Sequence, residues 1–146
     1  MRTILNVVAL ASFVWASAPA MAGENDVMLY KNPQCGCCEG HAAHLRENGF
    51  NVTERVTHDL AQMSSEAGIP EEFQGCHLAF VDGYVVSGHV PASTVRKLLM
   101  DRPDIKGVTL PGMPTGSPGM PGPKQGPLEI LEITKSGTMG DVYARE

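Results

Sequence analysis

Apolar residues in this chain fall into short clusters separated by polar residues, glycine or proline, and the period of each cluster indicates its element. Val27-Met28-Leu29-Tyr30 is a compact, β-prone apolar run. Further on, Ala42, Ala43, Leu45 and Arg46 favour a helix, and Asn48-Gly49 is a left-handed stop. Phe50 to Val56 alternates and is β-branched, which predicts a strand. Asp59 to Ala67 reads as a second helix, halted at Gly68 with Pro70 just beyond. Leu78 to Val81 and Tyr84 to Val86 flank Asp82-Gly83, a two-residue turn, and predict an antiparallel hairpin. Pro91, at the first helical position, opens a last helix over Ala92–Met100 that ends around Asp101-Arg102-Pro103.

Strand, helix and strand following so closely suggest a right-handed βαβ unit, and the full order βαβαββα is that of an α/β, thioredoxin-like domain over residues 23–102. From 103 to 127 the composition turns to proline and glycine, and Pro111-Gly112-Met113-Pro114 recurs as Pro118-Gly119-Met120-Pro121. Such a segment predicts neither helix nor central strand. It reads either as a flexible linker or as tight turns that hold two thioethers toward a soft metal. Residues 128–146 predict a terminal β-hairpin packed on the domain, with Leu128–Thr134 and Thr138–Tyr143 as strands, which would cover a sheet edge.

The first 22 residues have a different pattern: Arg2, an apolar run from Val7 to Trp15, then Ala18-Pro19-Ala20-Met21-Ala22. That is the pattern of a signal peptide cleaved after Ala22. An uncleaved anchor is the alternative, but Ser12, Ser17 and Pro19 break the run below the ~20 residues a span needs. The expectation is an exported, periplasmic protein beginning at Gly23 and free of the membrane after cleavage. In that compartment thiols persist as disulfides, as metal ligands, or through a reducing partner. At 146 residues and 42% hydrophobic, the chain can bury one modest core. Its formal net charge of −5 argues against binding a phosphate backbone, which needs clustered Lys and Arg, and no nucleic-acid role is favoured.

The candidate chemistry is concentrated between Asn32 and His44, which hold three of the four cysteines and two of the five histidines. Cys35, Cys37 and Cys38 fall in a strand-to-helix turn, where unpaired backbone N–H groups favour thiolate. Cys35 and Cys38 have the spacing of a redox dithiol, but a third thiol is one more than exchange requires. Gathered soft thiolates select Cu(I), Zn(II) or iron–sulfur centres. A disulfide that only staples the fold is a further reading, and one to which the vicinal pair Cys37-Cys38 is poorly suited. Helical spacing puts Cys37, His41 and His44 on one face, with His44 preferred over His41 as a neighbour of the site. Cys76 precedes the strand at Leu78 and is either a fourth sulfur opposite the turn or a small buried hydrophobe. His89 stands in a turn after the hairpin, while His58 reads as a surface residue.

Taken together, Tyr30-Lys31-Asn32-Pro33-Gln34-Cys35-Gly36-Cys37-Cys38, Cys76-His77, Val81 to Val86, Gly88-His89-Val90-Pro91-Ala92 and Pro111 to Met120 resemble the CopG-type family of bacterial periplasmic metal-binding proteins. The resemblance spans almost all of the chain after residue 22. It implies a thioredoxin-like fold, Cu(I) held by the Cys-x-Cys-Cys turn with the distant cysteine, and a part in copper resistance. The positions that carry over are Cys35, Cys37, Cys38 and Cys76, with His44, His77, His89, Met113 and Met120 as further metal ligands. Two departures stand out: His41 occupies an aromatic position of the family, and Gly75 and Leu78 replace small hydroxyl residues around Cys76-His77. The expectation is a protein that binds Cu(I), with thiols enough for more than one ion, and that exchanges copper with other periplasmic copper-handling proteins. A thiol–disulfide or copper oxidoreductase acting on a partner protein is the alternative, and zinc storage ranks third.

Overall fold

The computed structural model describes residues 23–146, so the signal-like segment lies outside the described residues. The expected order is present: β1 (Asp26–Lys31), α1 (Gly36–Glu47), β2 (Asn51–Val56), α2 (Leu60–Glu66), β3 (His77–Val81), β4 (Tyr84–Ser87) and α3 (Ala92–Asp101). Three more strands follow, β5 (Gly107–Thr109), β6 (Glu129–Ile133) and β7 (Met139–Arg145). Among the described residues, seven strands form one mixed sheet in the order β2-β1-β3-β4-β5-β6-β7. β1 runs parallel to β2 and β4 parallel to β5, while the other neighbours are antiparallel. Among the described residues no helix is long and apolar enough to cross a membrane.

Alternation along the strands divides the apolar side chains between two faces. Val27, Leu29, Ala79, Val81, Val86 and Val108 pack with Ala42 and Leu45 of α1 and Val95 and Leu98 of α3. Leu78, Val85 and Ile133 point the other way, onto Leu60 of α2 and Ile69. The Asp82-Gly83 turn has positive φ at both residues, 44° and 82°, the mirror-image geometry that suits the twist of a tight hairpin.

One expectation is corrected. Residues 103–127 do contain a central strand, the fully buried β5, which pairs with β4 on one side and β6 on the other. Gly107 makes this possible, because a Cβ at that position would collide with the Val85 carbonyl oxygen. The terminal hairpin covers the edge of β5 by pairing along it, so that it extends the sheet. A smaller shift concerns Pro91, which is the N-cap of α3 and not its first helical residue.

Candidate metal centre

The cysteine turn is built by a change of direction between β1 and α1. Beyond Lys31 the chain passes through Asn32-Pro33, turns at Gln34 with φ 61°, and enters α1 with Cys35 as its N-cap. Cys38 is buried in the first helical turn, and Cys35 and Cys37 are half-buried. Lys31 clamps this corner, its Nζ lying 2.6 Å from Glu39 Oε1 on α1 and 3.7 Å from Glu54 Oε2 on β2. The antiparallel register of β1 with β3 pairs Lys31 with His77. One step further, Asn32 N–H donates to the Cys76 carbonyl at 3.1 Å, which carries Cys76 to the mouth of the turn.

Four sulfurs therefore converge, all within 4.8 Å of one another. Cys76 Sγ lies 3.2 Å from that of Cys35, 3.6 Å from that of Cys37 and 3.1 Å from that of Cys38. Cys35 and Cys38 are joined as a disulfide, and Cys37 and Cys76 remain thiols. Burial, with Cys37 alongside, pushes the Cys76 thiol up to about 11.

Beside the sulfurs lies a group of buried imidazoles. The rings of His41 and His77 are 4.7 Å apart, those of His77 and His89 4.9 Å, and those of His41 and His89 5.4 Å. Each ring gives one N–H to a backbone carbonyl: His41 Nε2 to Val90 (2.9 Å), His77 Nε2 to Gly88 (3.0 Å) and His89 Nδ1 to Pro118 (2.7 Å). A carbonyl only accepts, so these bonds set the tautomers and leave the second nitrogen of each ring as a lone pair. Burial keeps all three neutral, lowering His41 to about 4 and His77 well below its ordinary value, and lowering His89 too. His77 Nδ1 lies 4.0 Å from Cys76 Sγ. His41 Nδ1 and His89 Nε2 are buried without a hydrogen-bond partner among the described residues.

The Pro/Gly/Met segment folds over this corner, which rules out the linker reading for the part that touches it. Pro118 receives the His89 bond, and Gly119, at φ 83°, rests on α1 so closely that a Cβ there would stand 2.7 Å from the Cys37 carbonyl and collide with His41 N. Gly40 reciprocates, since its Cβ would meet Gly119 Cα at 2.9 Å. Ser117, buried, ties the turn by donating its hydroxyl to the Pro114 carbonyl at 2.7 Å. Met113, with φ 45°, carries its sulfur to 3.8 Å from Cys76 Sγ.

Of the residues singled out from the sequence, Cys35, Cys37, Cys38, Cys76, His77, His89 and Met113 are thus brought together. His44 is not, because its Nε2 accepts the Ala92 N–H at 3.1 Å, which spends its lone pair on the start of α3. Met120 is held through its backbone N–H to the Ser117 carbonyl, and among the described residues its sulfur makes no cysteine contact of the kind Met113 makes. His41, ranked below His44 from the sequence, is fully buried at the centre of the imidazole group. Its signal was present in the i, i+3 spacing with Cys38. His58 is exposed, as expected.

A family described as "Protein of unknown function, DUF411" matches residues 73–120, the stretch from just before Cys76 through Met120. No curated protein matches the chain. Among solved structures, "Copper resistance protein copG- Form 1" is similar at 38% identity, over 85% of this chain and 98% of that one, with a TM-score of 0.76. "Copper resistance protein copG- Form 2" is similar at 38% identity, over 83% and 97%, with a TM-score of 0.75. With the mixed sheet, the converged sulfurs and this identity over nearly the whole of the matched structures, the chain belongs to the family of the copper resistance protein copG.

Proposed function

We propose that this protein binds Cu(I) through Cys35, Cys37, Cys38 and Cys76 and serves copper resistance or homeostasis in the periplasm. The observation that carries the reading is the convergence of Cys76, 41 residues along the chain, onto the three sulfurs of the turn. Four thiolates packed this closely are a soft donor set suited to Cu(I), and four donors can bridge more than one ion. His77, His89 and Met113 supply neutral ligands that complete coordination without adding charge. Zinc would also accept the thiolates, but the thioether beside Cys76 favours copper. Copper here is cargo, received from and passed to other copper-handling proteins.

Metal binding and thiol oxidation compete for the same atoms. Closing the Cys35–Cys38 bond sends two electrons to an oxidant and removes two of the four thiolates, so oxidation weakens the site and copper protects the thiols. The test is anaerobic titration of the reduced chain, from Gly23 onward, with Cu(I) against a competing chelator, with stoichiometry by mass spectrometry. Expected is at least one Cu(I) per chain, with stoichiometry lowered by Cys76→Ser. Failure of the reduced chain to compete with the chelator overturns the reading. Export is tested separately: protein recovered from periplasm begins at Gly23, and an intact Met1 there would refute it.

A second reading has its own support. Cys76 Sγ stands 3.1 and 3.2 Å from the two sulfurs of the Cys35–Cys38 disulfide, within reach for exchange inside the chain, and the Cys35/Cys38 pair in its dithiol form would reduce a partner disulfide by itself becoming the disulfide, with a small thiol supplied as reductant for turnover. Catalysed reduction of a partner disulfide by the metal-free chain would favour it.

A further inference from the structure

Closing the Cys35–Cys38 bond leaves two thiols, and they are neighbours: Cys37 Sγ lies 3.6 Å from Cys76 Sγ, although the residues stand 39 positions apart in the chain. We propose that Cys37 and Cys76 are a second thiol–disulfide exchange pair, so that the reduced chain passes two pairs of electrons to incoming disulfides and ends with the bonds Cys35–Cys38 and Cys37–Cys76. This rests on the thiol–disulfide reading above and extends it to the two sulfurs that reading leaves unused.

Four cysteines allow three pairings. One of them joins Cys37 to Cys38, but these are consecutive residues of α1 and do not face each other. Another joins Cys35 to Cys37 and Cys38 to Cys76, across contacts of 3.5 and 3.1 Å, and the Cys35–Cys38 bond forecloses it. What remains is Cys37 with Cys76. Both are anchored through their backbones, Cys37 in the first turn of α1, where Gly119 rests against its carbonyl, and Cys76 by the Asn32 N–H. Bringing their sulfurs to bonding distance takes about 1.5 Å of movement, which side-chain rotation supplies without shifting either backbone. Both are half-buried and open to an incoming disulfide, whereas Cys38 is buried.

The step balances without a further reagent. One thiolate of the pair attacks the incoming disulfide and expels one of its sulfurs as a thiolate. The second thiolate then attacks the chain's own sulfur in that mixed disulfide and expels the other, and the two protons leave with the two expelled thiolates. The two bonds differ in reach. Cys35–Cys38 closes within one helical turn, while Cys37–Cys76 ties α1 to the start of β3 across β2 and α2, which restricts the unfolded chain and stabilises the fold. With both closed, no thiolate is left in the four-sulfur group, so full oxidation empties the thiolate site where the first bond only halves it.

The experiment incubates the reduced, metal-free chain from Gly23 onward with excess oxidised glutathione, then quenches with acid, alkylates and weighs it by mass spectrometry. Expected are the mass loss of two disulfides, no alkylated cysteine, fragment spectra that join Cys37 to Cys76, and a melting temperature several degrees above that of the chain carrying Cys35–Cys38 alone. Cys37→Ser and Cys76→Ser should each stop at one disulfide and lose that rise. Faster closure by a disulfide-bonded peptide than by oxidised glutathione identifies a polypeptide as the donor, and the reverse order a small molecule. A wild-type chain that stops at one disulfide with Cys37 and Cys76 alkylated, a lasting glutathione adduct on either of them, or fragments that join Cys38 to Cys76 overturns the proposal. None of these readouts needs turnover of a partner protein, so failure to reduce a partner disulfide catalytically defeats the thiol–disulfide reading and is told apart from failure of the second bond.

Discussion

The Cys76 carbonyl accepts the Asn32 N–H at 3.1 Å, one step past the last registered pair of β1 and β3. This bond places a cysteine from the far side of α2 opposite the start of α1. Sliding the β1–β3 register by one residue would turn Cys76 to the other face of the sheet. The fourth sulfur is therefore positioned by sheet pairing, which is stiffer than a loop.

Gly119 is expected to be intolerant of any side chain. Gly119→Ala would force a Cβ against His41 N and the Cys37 carbonyl at φ 83°, and should cost on the order of 2–3 kcal/mol by strain and displaced packing. Gly112→Ala has φ 78° but open space and should cost only about 1 kcal/mol. Thermal melts of both variants test the difference, and equal melting temperatures would show that the segment does not press on α1.

Methionines 113 and 120 should separate functionally. Met113 Sδ is 3.8 Å from Cys76 Sγ, so Met113→Ala should weaken copper binding several-fold, and Met120→Ala should leave it unchanged. Competition titrations of the two variants are the measurement.

Acid should destabilise the metal-free protein over a defined range. His41 is held at about 4, chiefly by burial, against about 6.5 when unfolded. Its contribution is complete above the unfolded value and is lost as pH falls from there toward 4, because only the unfolded chain takes up the proton. The total is roughly 3 kcal/mol, and His77, depressed in the same direction, adds to it. His41→Phe should reduce the slope of stability against pH in that window by up to about 1.4 kcal/mol per pH unit. At higher pH it should cost on the order of 1 kcal/mol for the lost bond to Val90. Denaturant unfolding at a series of pH values is the check, and an unchanged slope would show that His41 is not buried neutral.

Cys76 should be a slow thiol in the disulfide-bonded protein. With its value pushed up to about 11, its alkylation should rise about tenfold per pH unit across the alkaline range and level off only near that value. Mass-resolved alkylation kinetics would reveal a plateau near the ordinary thiol value if the burial were not as described.

Elements whose signal lies within a few residues were legible in the chain. The alternation of Phe50–Val56, the Asp82-Gly83 turn and the gathering of cysteines between β1 and α1 depend on local periods and turn chemistry, and all are present in the fold. β5 was hidden because Val108 and Thr109, although β-branched, are too short a run after Gly107 to show a period and stand at the head of a Pro/Gly-rich stretch, and hydrogen bonds to β4 and β6 on both sides supply what so short a run does not. His44 and His41 share one helix face, so helical spacing did not reveal which would join the cluster. Packing chose between them, when the start of α3 took the His44 lone pair and Val90, 49 residues from His41, fixed the other ring. The clearest case is Pro111-Gly112-Met113-Pro114 and Pro118-Gly119-Met120-Pro121. The two tetrapeptides are identical, so no local reasoning distinguishes them, and each acquires its role from its neighbours: the first extends a thioether to Cys76, and the second lays a glycine against α1.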